Sequence, residues 1–393
     1  MRPMAKASDI SPWALVVASG ISFAYLADLA WMALTHRWLM DAGGHPLAAD
    51  FLSFWSAGLL AWGGHAAQAY DWSIMHALQG RLMHHTASGF LGWAYPPLFF
   101  AVAMFLALLP FGIAFLGWVG ASLALYAAAV AHIARDRRAA LFALAAPASL
   151  ACIVAGQNGF LTAALMACVL LQLEARPVLA GLLLGLLTYK PHFGLLFPVA
   201  LLLGGYGRTF ASAVIATLAI LFVSWLAAPD SLAAFAQHLG GMSNDFLSQG
   251  HAGFYKLQSL YGLLRTSGVP DGASFTAQGV LLVTMAGFIA WLWRNEKDNS
   301  LRCAGLCTAT LLATPYLFLY DFPVLSVAIA FLWRARVFDR VEAILLLLSQ
   351  LAIAGFVILS IPTGFIAALL TLLVVARRAV SPSLRTAPLA QPA

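Results

Sequence analysis

Charge is what this sequence has least of. Only 9% of its 393 residues are Asp, Glu, Lys or Arg, against about 25% in ordinary soluble domains, while 62% are hydrophobic. A chain of that balance has too little polar surface to enclose its apolar residues in water, which excludes a soluble globular protein. Also missing are the Gly-x-x-x-x-Gly-Lys-Ser/Thr phosphate loop, the dinucleotide-binding glycine fingerprint and Gly-x-Ser-x-Gly, so nucleotide-driven chemistry loses support. Cysteine is scarce. Cys152, Cys168, Cys303 and Cys307 all fall in apolar runs, and the last two share one helical face, so they read as small packing residues. No disulfide, metal or other cofactor is expected. The formal charge of +6 is spread over short joints and forms no basic stripe, which argues against nucleic acid as a partner.

What the sequence does have is apolar runs along nearly its whole length. About 20 such residues span a bilayer as a helix, and the chain reads as an all-α, multi-pass membrane protein with about 12 transmembrane helices. The expected spans are 13–34, 112–134, 139–156, 159–173, 178–189, 193–204, 209–228, 276–294, 301–315, 322–334, 341–361 and 363–377. The first follows Arg2 and Lys6, is longer than a signal-peptide core and lacks a small-x-small cleavage site, so it is taken as uncleaved. Residues 36–110 form a first outer loop, with short helices expected along the surface at 52–62 and 66–85. Leu98–Leu109 is led by Pro96-Pro97 and is read as dipping into the membrane without crossing it. With that choice 16 of the 21 Lys and Arg fall on the side of the termini, which the positive-inside rule makes cytoplasmic. A second outer loop covers 229–275, residues 1–380 form one membrane domain, and 381–393, rich in Pro, Ala and Ser, reads as a disordered cytoplasmic tail.

This topology puts the polar joints on one outer face. Asp50 heads the run Asp50-Phe51-Leu52-Ser53-Phe54-Trp55, where apolar and aqueous media meet. It is either the N-cap of a short helix or a partly desolvated carboxylate with a raised pKa, suited to taking a proton. Lys190, followed by Pro191 and His192, interrupts an apolar stretch. It is either a snorkelling cation or the donor to a lipid phosphate, with His192 as a second donor. Gln157-Asn158 within Gly156–Gly159 is a tight turn or a pair of amides for sugar hydroxyls. Asp321, after Tyr320, caps a helix or holds a polar substrate. Asp28, inside the first span, is expected to face the bundle interior.

Several of these motifs recur together in a known order. Asp50-Phe51-x-x-Phe54-Trp55-x-Ala57-Gly58 is followed by Ala69-Tyr70-Asp71, Tyr95-Pro96-Pro97-Leu98, Leu109-Pro110-Phe111 and Gly156-Gln157-Asn158. Then come Tyr189-Lys190-Pro191-His192, Gln258-Ser259-Leu260-Tyr261-Gly262-Leu263-Leu264-Arg265 and Pro315-Tyr316-x-x-x-Tyr320-Asp321. In this order the chain resembles glycosyltransferase family 87, membrane-embedded GT-C-type enzymes that include polyprenol-phosphate-mannose-dependent α-mannosyltransferases. The resemblance implies a GT-C-like helical bundle and inverting transfer of a hexose, mannose by analogy, from a polyprenyl-phosphate donor. The acceptor would be a hydroxyl of a glycolipid or glycan at the outer face of the plasma (inner) membrane, on its periplasmic or extracellular side. It also implies Asp50 as the catalytic base and Lys190-Pro191 as the family's Lys-Pro segment, with His192 where many members carry Gln. Tyr95, Gln157, Asn158, Gln258, Tyr320 and Asp321 are the expected substrate-binding residues. The alternative from another class is a transporter or flippase of an anionic or sugar-bearing lipid, because broken helices with a buried Lys also mark transport sites.

Overall fold

The computed structural model describes residues 12–38, 50–83, 92–243, 247–250 and 253–381. Arg2, Lys6, the run 47–49 and the tail beyond Ser381 lie outside the described residues. Among those described there are eighteen α-helices and no β-strand. In chain order they are α1 (Pro12–Leu34), α2 (Phe51–Trp62), α3 (Trp72–Met83), α4 (Phe100–Ala107), α5 (Phe111–Ala134), α6 (Ala139–Ala145), α7 (Pro147–Ala155), α8 (Gly159–Gln172) and α9 (Pro177–Leu186). The second half holds α10 (Phe197–Leu203), α11 (Gly207–Ala227), α12 (Pro229–Ser243), α13 (Leu260–Thr266), α14 (Asp271–Asn295), α15 (Asn299–Ala313), α16 (Pro323–Ala335), α17 (Arg340–Leu359) and α18 (Thr363–Val380).

Five helices are long and apolar enough to cross a bilayer alone: Trp13–Leu34, Phe111–Ala134, Gly207–Ala227, Asp271–Asn295 and Thr363–Val380. Their outward faces are apolar, with Ile113, Leu116, Ile215, Leu218, Phe222 and Val283 exposed, a surface that water would penalise and lipid would not. Of the other expected spans, 341–361 appears as the 20-residue α17, and the rest appear as shorter helices. Residues 139–156 are divided at Pro147 into α6 and α7, because Pro holds Ala146 in an extended conformation. The stretch 178–204 is broken at Lys190-Pro191, leaving α9, two 3-10 turns and α10.

The chain returns to one end of the bundle repeatedly. α5 begins there, its Phe111 packed on Phe51 and Trp55. α8 starts at the same end, with Gly159 against the Tyr320 carbonyl. α9 leads back to it at Tyr189-Lys190, and α10 then runs away to Gly204, which lies on Trp293 near the end of α14.

Three expectations about the first span and the first loop change in the structure. The helix at 52–62 is a surface helix only in its last turn; Phe51, Leu52, Ser53, Phe54, Ser56, Ala57 and Gly58 are all buried. The cause is the 97–107 segment, which turns back over it. A Cβ on Gly58 would lie 2.1 Å from the Ala103 carbonyl oxygen, so the two helices approach as only glycine allows. The helix expected at 66–85 is split at Asp71, whose carboxylate accepts from the N–H groups of Ser73 and Ile74 and starts α3 afresh. α3 is a true surface helix, burying only Met75, Gln79 and Met83, one stripe at four-residue spacing. Asp28 does not face the interior: α1 buries a narrow stripe through Ala18, Ser22 and Leu29, and Asp28 lies on its exposed side.

Leu98–Leu109 is a 3-10 turn followed by the eight-residue α4. At about 1.5 Å per residue it is too short to cross about 30 Å of hydrocarbon. The sidedness that follows can be checked by cysteine labelling at exposed positions. Asp71→Cys and Lys256→Cys should react with an impermeant maleimide from outside intact cells, and Asp298→Cys only after permeabilisation. Reaction of Asp298→Cys from outside would reverse the assignment.

Candidate active site

The site is built where α2, the turn before α8, the broken segment around Lys190 and the 319–321 turn meet. α2 is fixed first. Ser53 Oγ donates to the Gly92 carbonyl at 2.9 Å, Trp55 Nε1 to Leu109 at 3.0 Å and Trp62 Nε1 to Met104 at 2.8 Å. Phe54 is enclosed edge-on by Trp93, Tyr95, Phe99 and Trp118. These aromatic contacts anchor the helix that carries Asp50.

Asp50 sits at the N-terminus of α2 but its side chain makes no capping hydrogen bond. Instead Oδ2 accepts from Gln157 Nε2 at 3.2 Å, and Gln157 Oε1 accepts from the Tyr95 phenol at 3.0 Å. The phenol can only donate to the amide oxygen when the amide NH2 faces Asp50, so Tyr95 sets the orientation of the group that holds the carboxylate. Burial pushes the Asp50 carboxyl above the ordinary 3.8, an effect opposed by the Gln157 hydrogen bond and the charge of Lys256.

The 156–159 turn is anchored by side-chain donors. Trp118 Nε1 donates to the Gly156 carbonyl at 3.0 Å, Trp38 Nε1 to Val154 at 3.3 Å and Cys152 Sγ to Gln157 at 3.4 Å. Gly156 has φ +66° and a Cβ there would strike Phe115 and Phe51. Gly159 is needed for a different reason: it is helical, but a Cβ would lie 1.7 Å from the Tyr320 carbonyl oxygen. Gly159→Ala should therefore force the 319–321 turn away from α8, costing about 1–3 kcal/mol or more. A lowered melting temperature in detergent would register it; an unchanged one would mean the turn is free to shift. Asn158 is fully buried, yet neither polar atom of its amide makes a hydrogen bond of good geometry, although the Tyr95 phenol is nearby. An amide left so short of partners inside a protein is an open binding capacity.

Lys190 and Asp321 are brought together across 131 residues of sequence. The ammonium donates to Asp321 Oδ1 at 2.5 Å, and the two residues are 5% and 1% exposed. Oδ2 of Asp321 accepts from the Phe318 N–H at 3.0 Å, while the Phe193 and Tyr320 rings lie 5.6 and 5.3 Å from the ammonium. Asp321 thus braces the turn that carries it and neutralises Lys190 as well. Tyr95 links the two halves of the site: burial, then the charges of Asp321 and Asp50, hold its proton well above the usual phenol range. Behind it, Tyr189 stacks on Phe99 at 4.9 Å and its hydroxyl lies 2.6 Å from Thr162 Oγ1.

His192 is half-buried beside Phe193 and Tyr316. Burial and the neighbouring Lys190 push it down to about 3, so near neutrality it can offer an N–H but no charge. Gln258 is not directed into this cluster. Its Nε2 donates to the Tyr255 and Lys256 carbonyls and its Oε1 accepts from the Gly364 N–H, so it ties the second outer loop to α18. Asp71, a conceivable second base, is occupied as the cap of α3.

Sequence reasoning places Asp50, Tyr95, Gln157, Asn158, Lys190, Tyr320 and Asp321 in one region, and the structure collects them there. It misses Thr162, Trp118 and Lys256, whose apolar or loop settings carry no signal of the kind a motif gives. No curated protein and no solved structure gives a significant match to the chain. The model of glycosyltransferase family 87 matches residues 93–315. That stretch takes in Tyr95, Gln157, Asn158 and Lys190 but begins after Asp50 and ends before Asp321. Since the match covers more than half of the sequence, the chain belongs to glycosyltransferase family 87.

Proposed function

We propose that the protein transfers a hexose, mannose by family resemblance, from a polyprenyl phosphate to an acceptor hydroxyl of a glycolipid or glycan, with inversion at the anomeric carbon. Asp50, held by Gln157, takes the proton of the acceptor hydroxyl as its oxygen attacks. The bond from the anomeric carbon to the phosphate oxygen breaks, and the polyprenyl phosphate leaves with the electron pair. Phosphate is a good leaving group, so no general acid is needed. Lys190 has two N–H donors beyond the one given to Asp321, and these serve the departing phosphate; His192 adds a neutral N–H. Asn158 and Tyr95 bind sugar hydroxyls, Asn158 through its unsatisfied amide. The site faces the outer side of the membrane.

The observation that carries this reading is the Asp50–Gln157–Tyr95 chain, which holds a partly buried carboxylate in a fixed orientation and ends on a phenol that also lies in the field of the lysine-paired Asp321. The test is incubation of the purified protein with radiolabelled polyprenyl-phosphate-mannose and membrane extract, followed by identification of the labelled product. Labelled product that depends on Asp50 supports the transferase. Movement of intact donor across a vesicle membrane, undiminished in Asp50→Asn, would establish the transporter instead.

A further inference from the structure

At the opposite end of the bundle from Asp50 lies a second cluster of charge that the transfer reaction does not use. α5 starts against Phe51 and runs for 24 residues, about 35 Å at 1.5 Å per residue, so its last turn is on the far side of the membrane. There a cleft of about 490 Å³ is lined by Ala131, His132, Arg135, Asp136, Arg137 and Arg334. Its one carboxylate is already spoken for: Asp136 accepts from Arg138 Nε at 3.1 Å and Nη2 at 2.9 Å. Among the described residues Arg135, Arg137 and Arg334 make no ion pair.

The contrast with their neighbours at the same end is informative. Arg336 and Arg378 both reach the buried Glu342 at 2.7 Å, and Arg377 reaches Asp339 at 2.6 Å. Where guanidinium groups join helices here, a carboxylate meets them at ion-pair distance; around the cleft Asp136 is taken by Arg138, and Asp298 and Glu174 reach Arg334 only through their field. Arg135 is also in the left-handed region, φ +54°, at the position that ends α5. Glycine is the residue that helix ends use there, because any other side chain costs about 1 kcal/mol or more. A single arginine would satisfy the helix dipole and the positive-inside rule. Three unpaired arginines converging on one cleft exceed that need.

We infer that this cleft binds a phosphate group at the membrane face opposite the transfer site, with Arg135, Arg137 and Arg334 as its ligands. Planar guanidinium forks match phosphate oxygens in pairs, and a basic cleft between helices at the membrane face suits a phospholipid head group as well as a soluble phosphate. The inference does not depend on the transfer reaction, and its test reads binding alone.

The purified full-length protein is titrated in neutral detergent with short-chain phosphatidylglycerol, short-chain phosphatidylcholine and inorganic phosphate, and retained ligand is counted by native mass spectrometry. Phosphatidylglycerol should be retained in clear preference to phosphatidylcholine. Arg135→Gly and Arg334→Gln should each weaken that retention about tenfold or more, the scale of one charged hydrogen-bonded contact. Arg135→Gly is chosen because it suits the left-handed backbone, so the variant loses the charge while easing the fold, and weakened binding cannot be ascribed to unfolding. Competition by millimolar inorganic phosphate would assign the cleft to a soluble phosphate compound; its absence would assign it to lipid. Equal retention of both lipids with no phosphate binding, or undiminished retention in Arg135→Gly, would overturn the site.

Discussion

Asp50→Asn is expected to lower turnover by about 10²–10⁴-fold, the usual contribution of a general base, with donor affinity and melting temperature near those of the unsubstituted protein. The geometry makes this a clean test. Asn caps a helix about as well as Asp, and here there is no capping hydrogen bond to lose, because the Asp50 side chain turns to Gln157. The Asn oxygen can still accept from Gln157 Nε2, so the Tyr95–Gln157 arrangement survives. Only the ability to take a proton disappears. Turnover should also depend on pH in a way set by this carboxyl. Burial raises it above 3.8, so the acid limb of the rate profile should lie above the ordinary aspartate value and vanish in the residual activity of Asp50→Asn. The sign for stability is the reverse of the usual acidic residue. The folded state holds the proton more tightly than the unfolded one, so ionisation of Asp50 as pH rises from 3.8 through the raised value removes stability. Near-normal turnover in Asp50→Asn would place the base elsewhere, and Asp321 is then the remaining carboxylate of the site.

How much of this was legible beforehand depends on whether the cause is local. Apolar runs and prolines are local, so the helices at 12–34, 111–134, 207–227 and 363–380 lie within a few residues of the expected spans. The break at Lys190-Pro191 is equally local, since Pro removes a donor whatever surrounds it. The environment of α2 is not. Nothing within residues 51–62 says that 97–107 will fold back over them; that depends on Gly58 meeting Ala103, a contact across 45 positions. Asp28 fails for a related reason. A charge within an apolar run signals a special position, but which side of α1 meets the bundle is decided by what packs on it. Likewise Gln258, polar and within a family motif, looks like a ligand for a sugar, and only the backbone of Tyr255, Lys256 and Gly364 shows where its amide is used. Motifs locate polar residues; long-range partners decide how much of their bonding capacity is left for a substrate.

Lys190 illustrates that difference with the largest expected effect on stability. Taken as a lone interfacial cation it would be removable, and Lys190→Met would leave a folded protein with weakened donor binding. Its pairing with Asp321 changes the outcome. Removing the ammonium leaves a carboxylate that is 1% exposed with the Phe318 N–H as its remaining donor. Breaking a buried pair from one side typically costs about 3–5 kcal/mol, so Lys190→Met should be strongly destabilised. The double variant Lys190→Met with Asp321→Asn separates structure from chemistry. Asn keeps an oxygen for Phe318 and carries no charge, so most of the lost stability should return. Sugar transfer should not return, because the departing phosphate would still lack its cation. Melting temperature and single-turnover transfer, measured on both variants, check the two halves independently. Recovery of transfer along with stability would make the pair a brace for the 319–321 turn alone, and the charge for the leaving phosphate would then fall to Lys256, the exposed cation whose field already reaches Asp50.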